Sequence, residues 1–159
     1  MHRIDYLEKE LVRLLGWIQV ADSRIALVLP LTTAMLGALS VLTPDVDKWT
    51  VLPVISSSFA LFFLILGLAF CALASFPRVD GPKGSNIFFG GIVDRELDQY
   101  KKAVSDFSQE NYCDDLINQC HINSQIANTK FTWVRRAMGS MFLSFFPWAI
   151  SIYLLYSVR

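Results

Sequence analysis

The chain predicts an all-α membrane protein, and two observations carry that reading: three charge-free apolar runs and a polar remainder with helical periodicity. Residues Ile25–Thr43, Val51–Phe76 and Met138–Val158 contain no Lys, Arg, Asp, Glu or His. Each meets the requirement of about 20 apolar residues for a spanning helix. A hydrophobic share of 53% and a mean hydropathy of +0.42 are high for a soluble domain but too low for a chain that is all membrane. A substantial segment therefore lies outside the bilayer. The predicted organisation is an N-terminal segment 1–24, spans at 25–43, 51–76 and 138–158, a short loop 44–50, and a polar module 77–137.

The N-terminal segment reads as an amphipathic helix. Ile4, Leu7, Leu11, Leu14, Leu15 and Ile18 recur at helical spacing, with Asp5, Glu8, Lys9 and Arg13 elsewhere on the wheel. It can run on into the first span as one long bent helix. Its mixed charge over some two dozen residues, with no small-residue cleavage site after the apolar run, speaks against a cleaved signal peptide.

Basic residues set the expected topology. Arg3, Lys9, Arg13 and Arg24 precede the first span, and Arg78, Lys83, Arg95, Lys101, Lys102, Lys130, Arg135 and Arg136 lie between the second and third. Only Lys48 and Arg159 fall on the other side. Since Lys- and Arg-rich flanks stay in the cytoplasm, the N-terminus and the 77–137 module are expected there. The 44–50 loop and the C-terminus then face out. Trp17, Trp133 and Trp49 fall near the predicted boundaries, where interfacial aromatics collect.

The polar module divides in two. Residues 76–91, FPRVDGPKGSNIFFGG, carry two prolines and four glycines, which mark a loop or set of turns, with Gly90 and Gly91 expected as a turn. Residues 92–111 read as partly helical, and from Tyr112 to Arg136 a strong helical pattern leads into the third span. Leu116, Gln119, Asn123, Ile126 and Lys130 recur at steps of three or four and share one face. Two readings fit that face. Gln119 and Asn123 satisfy each other and nearby backbone while Lys130 snorkels to head groups, or the row lines a pocket for a small polar ligand.

A second cluster, Trp17, Asp22, Ser23 and Arg24, stands at the mouth of the first span. It is either an interfacial anchor, with Asp22 paired to Arg24 or solvated, or a place where Arg24 turns inward and joins Lys130 or Arg135 in holding an anion, a task suited to the planar guanidinium fork.

Other chemistries find little support. Fourteen basic and fourteen acidic residues cancel, so no polybasic patch argues for nucleic acid. Cys113, Cys120 and His121 match no zinc spacing, and no metal or cofactor is expected. The spans hold no Asp, Glu, His, Lys or Arg, and no nucleophile-elbow, zinc-protease or phosphate-loop pattern occurs, so an enzyme is not expected. Pro30, Pro53 and Pro147 can kink spans. Ala34, Gly37, Ala38, Ser40 and the Ser56–Ser58 row allow close helix contact, within one chain or between copies.

Three strings then carry a resemblance: GWIQVADSRIALVLPLTTAMLGAL entering the first span, NIFFGGI after the Gly-rich loop, and YCDDLINQCHINSQIANTKFTWVRRAM before the third. Together, in this order and over nearly the whole chain, they resemble the small membrane effectors of the Pycsar antiphage systems, in which the basic residue after A-D-S is often Lys where this chain has Arg24. The resemblance implies a defence effector that answers cyclic CMP or cyclic UMP from a companion cyclase, impairs the inner membrane and causes abortive infection. That membrane would be a bacterial inner membrane, with the C-terminus in the periplasm. One chain with three spans cannot enclose a wide pore, so any leak is expected to require a homo-oligomer. The candidate ligand residues at matching positions are Asp22, Arg24, Phe89, Gln119, Asn123 and Lys130, with Arg135 added as a possible phosphate partner. A holin-like or structural membrane protein without a ligand is the rival expectation.

Overall fold

The computed structural model describes residues 2–45, 49–77, 81–82 and 84–158. Lys48, Arg78, Lys83 and Arg159, which entered the topology argument, lie outside the described residues. All regular structure among the described residues is helical: α1 His2–Leu42, α2 Val51–Ser75, α3 Phe89–Val93, α4 Leu97–Ser105 and α5 Gln109–Val158. Helices α1, α2 and α5 are long and apolar enough to cross a membrane, and the chain is an all-α membrane protein. The amphipathic segment and the first apolar run form one uninterrupted helix, with Pro30 inside it. Likewise α5 runs without a break from the polar module through the third apolar run.

The chain divides into two compact units. Unit two, residues 21–76 and 130–159, holds the apolar stretches. One cluster joins Ala21, Ile25 and Val28 of α1 to Cys71 and Ala74 of α2 and Val134 and Ala137 of α5. Another joins Leu39 to Ala60, Leu64 and Leu155. Contacts climb α1 and α5 together and descend α2, so α1 and α5 run in the same direction and α2 opposite to them. Small residues at these crossings let backbones approach, which is how helices gain packing energy where lipid is as apolar as the side chains. Trp148 Nε1 donates to the Met35 carbonyl at 2.9 Å, giving the indole proton a partner in an apolar setting. The outward faces stay apolar: Leu27 is 69% exposed and Phe146 77%, values that suit lipid rather than water.

Unit one comprises residues 1–20 and 77–129, so α3 and α4 pack with the N-terminal part of α1 and the first turns of α5. Two contacts bind α1 to α5 there. The Tyr112 hydroxyl donates to Glu8 Oε1 at 2.7 Å, and Cys120 Sγ lies 3.6 Å from the Leu7 carbonyl.

Candidate functional site

Within unit one, the loop before α3 is tied to α5 through a buried carboxylate and a buried amide. Asp115 Oδ2 accepts from the Ser85 hydroxyl at 2.9 Å and from the Asn86 N–H at 2.8 Å. Ser85 Oγ in turn accepts from the N–H groups of Ile87 and Phe88, at 3.1 and 2.9 Å, and from Gln119 Nε2 at 3.3 Å. Buried polar groups without partners would each forfeit about 1–3 kcal/mol, so this network specifies one loop conformation. From the far side, the Arg95 guanidinium bonds to Asn86 Oδ1 and to the Gly84 carbonyl. Gly84 has a φ of 75°, a conformation open to glycine without a Cβ clash.

The Gly90–Gly91 pair, expected as a turn, is helical, and its reason for being glycine is proximity. A Cβ on Gly91 would stand 2.5 Å from the Ser85 carbonyl oxygen and 2.9 Å from the Ser85 nitrogen. Only a residue without a side chain lets α3 sit against that loop. Gly81 and Gly90 make room for the Phe88 ring, whose atoms come within 2.2 and 2.5 Å of where their Cβ atoms would lie.

This loop forms one wall of a groove of about 340 Å³, a size within the range of small-molecule sites. Leu11 and Leu15 of α1 supply another wall, and Gln119, Ile122, Asn123 and Ile126 of α5 supply the floor. The rings of Phe88 and Phe89 stand 4.5 Å apart at its edge, with Phe89 60% exposed. None of the lining residues is charged. The site therefore offers aromatic faces, an aliphatic floor and two amides, a combination that takes a flat, partly polar molecule.

Three of the seven residues singled out in the sequence, Phe89, Gln119 and Asn123, thus line one groove. Gln119 is buried, and Asn123 Nδ2 donates to the Gln119 backbone carbonyl at 2.8 Å and lies 3.4 Å from Gln119 Oε1. The other four belong to unit two. There Lys130 pairs with Asp22, rather than with head groups, and Asp22 is neither solvated alone nor paired with Arg24. The Arg24 guanidinium instead lies 5.6 Å from the centre of the Phe131 ring, and Arg136 lies 4.7 Å over Trp133. Arg135 is exposed. Sequence reasoning missed Ser85 and Asp115. Asp115 carried a signal, standing four residues before Gln119 and eight before Asn123 on the same helix face. Ser85 carried none, because its partner is 30 residues away.

Two titrating groups in unit one are shifted. The hydrogen bond to Glu8 raises the Tyr112 pKa above its usual value, with burial and the charges of Glu8 and Asp115 acting in the same direction. Burial, assisted by Glu10, raises that of the Cys120 thiol, which disfavours the reactive thiolate.

Comparison with known proteins adds two findings. The profile of one family, described as Pycsar effector protein domain, matches residues 6–157. A curated relative, the Pycsar effector protein GmPycTM of Gulbenkiania mobilis, is 30% identical over 69 residues, which is 43% of this chain. The matched stretch spans 35% of that relative's length. No solved structure matches.

Proposed function

Because this chain belongs to the Pycsar effector family, we propose that it is an antiphage defence effector that binds cyclic CMP or cyclic UMP and then impairs the bacterial inner membrane. Abortive infection is the outcome, and the protein acts by binding rather than by catalysis. The observation that supports this reading most is the uncharged groove of unit one, where Phe89 stands at the edge and Gln119 and Asn123 on the floor. A pyrimidine stacks on an aromatic face with a gain of about 1–3 kcal/mol, and amides read its polar edge. Burying a phosphate charge among uncharged side chains is unfavourable. The base and sugar therefore enter the groove while the phosphodiester stays at its open, wet rim.

The distribution of Lys and Arg supports a cytoplasmic position for unit one, with the N-terminus inside and the C-terminus in the periplasm. A messenger made in the cytoplasm by a companion cyclase reaches it there. Helices α1 and α5 each supply residues to both units without a break, so a ligand that favours one arrangement of their polar portions has a covalent route to their apolar portions. The shift is limited to the ligand's difference in affinity between the two arrangements. Membrane damage then requires several copies.

Isothermal calorimetry of the full chain in detergent with each cyclic pyrimidine nucleotide tests this reading. Saturable heat is expected with at least one of them, and the affinity should fall for Asn123→Ala. Absence of heat and of any thermal shift at millimolar nucleotide would leave a membrane-acting protein without a ligand, as in a holin.

A further inference from the structure

We infer that the groove of unit one prefers the pyrimidine edge that donates, so that cyclic CMP binds more tightly than cyclic UMP; this rests on the nucleotide-binding reading above. The argument follows a chain of hydrogen bonds whose polarity is fixed at both ends by groups with one possible role. Backbone N–H groups only donate. Asp115 Oδ2 receives the Asn86 N–H, so it is an acceptor, and the Ser85 hydroxyl, which also reaches Oδ2, must give its one proton to it. Ser85 Oγ is then left with acceptor capacity alone, which agrees with its bonds from the Ile87 and Phe88 amides. With no proton left on Oγ, an amide oxygen of Gln119 would be repelled there, so the amide nitrogen is the atom that faces Ser85, sharing the two lone pairs of Oγ with the Ile87 and Phe88 amides. Its Oε1 is turned toward Asn123, which meets it with Nδ2. The Asn123 orientation is fixed a second time, because Nδ2 also donates to the Gln119 backbone carbonyl, which only accepts.

One atom is left over. Asn123 lines the groove, and its Oδ1 has no hydrogen-bond partner among the described residues. A free side-chain amide could swing its oxygen or its nitrogen toward a ligand and so suit either base. This one is held with its donor spent inside the protein and its acceptor available. Cytosine meets such an acceptor with an exocyclic amino group carrying two protons. Uracil has a carbonyl oxygen at that position, and its remaining donor lies between two carbonyl oxygens that the Asn123 oxygen would repel. An unmet or repulsive pairing in a desolvated site is worth at least about tenfold in affinity.

The test is a comparison of dissociation constants for cyclic CMP and cyclic UMP, by calorimetry on the full chain in nanodiscs, for the wild type and Asn123→Ala. The wild type should favour cyclic CMP by about tenfold or more. Asn123→Ala should bind both more weakly and bring the ratio near one. Equal wild-type affinities, a preference for cyclic UMP, or an unchanged ratio in Asn123→Ala with native helicity would overturn the inference and leave the binding reading standing. If neither nucleotide binds, both fall together.

Discussion

Gly91 and Tyr112 show how single residues hold unit one together. With the Ser85 carbonyl 2.5 Å from any added Cβ, Gly91→Ala must push α3 off the loop that Asp115 and Arg95 hold. Overpacking of this kind typically costs about 1–3 kcal/mol, so the variant should melt lower and lose nucleotide heat. An unchanged melting temperature with full binding would mean that the loop is softer than its hydrogen bonds imply. Tyr112 makes a prediction about pH. Its folded pKa is raised, chiefly by the bond to Glu8, so the folded state holds that proton more tightly than the unfolded chain does. The resulting stability is complete below the unfolded value of about 10 and is lost as pH rises through the higher folded value. Tyr112→Phe should therefore flatten the alkaline limb of a stability-versus-pH curve, read from thermal unfolding between neutral and strongly alkaline buffers. Identical limbs for both proteins would remove the Glu8 bond from the stability of unit one.

Among elements, the pairing of α1 with α5 inside unit two turns on Lys130, whose side chain is only 11% exposed, and Asp22, at 46%. Removing the half-exposed partner of a buried cation leaves that charge uncompensated, whereas replacing both can be nearly neutral. Asp22→Asn should lower thermal stability more than Asp22→Asn combined with Lys130→Met; if the double variant is the weaker one, the pair is a net stabiliser and not merely satisfied. This pair also marks where the sequence stopped being informative. The three apolar runs were legible because length and absence of charge are local properties, and the Gln119–Asn123 face was legible because a helix repeats every 3.6 residues. Periodicity also placed Lys130 on that face, yet its partner depends on the register of α1 against α5, which no single helix encodes. The Ser85–Asp115 bond was hidden for the same reason, since it joins a loop to a helix across 30 residues. The Gly-rich stretch signalled a turn by composition, but Gly91 proved to be a close approach of backbone to backbone.

For the whole molecule, the division into a polar and an apolar unit means that, under the proposed function, sensing and insertion are separable and damage depends on how many copies meet. Asn123→Ala alters one side chain of the groove and no residue of the apolar stretches, so it should reach the membrane at wild-type level yet fail to protect cells in a plaque assay. Protection by a normally inserted Asn123→Ala would remove that residue from the sensing step. On the same proposal, damage by assembled copies obeys mass action. One copy offers three apolar helices whose exposed faces carry Leu27, Phe62, Phe142 and Phe146, side chains suited to lipid rather than to lining a path for ions. If copies must assemble, the nucleotide-triggered release of a trapped dye from proteoliposomes should rise with about the second or a higher power of protein density at fixed ligand, because assembly depends on protomer concentration. A strictly linear dependence over a wide range of densities would mean that each copy disturbs the bilayer alone. The action would then lie in local thinning or tilt, and the small residues of α1 and α2 would serve packing within the chain only.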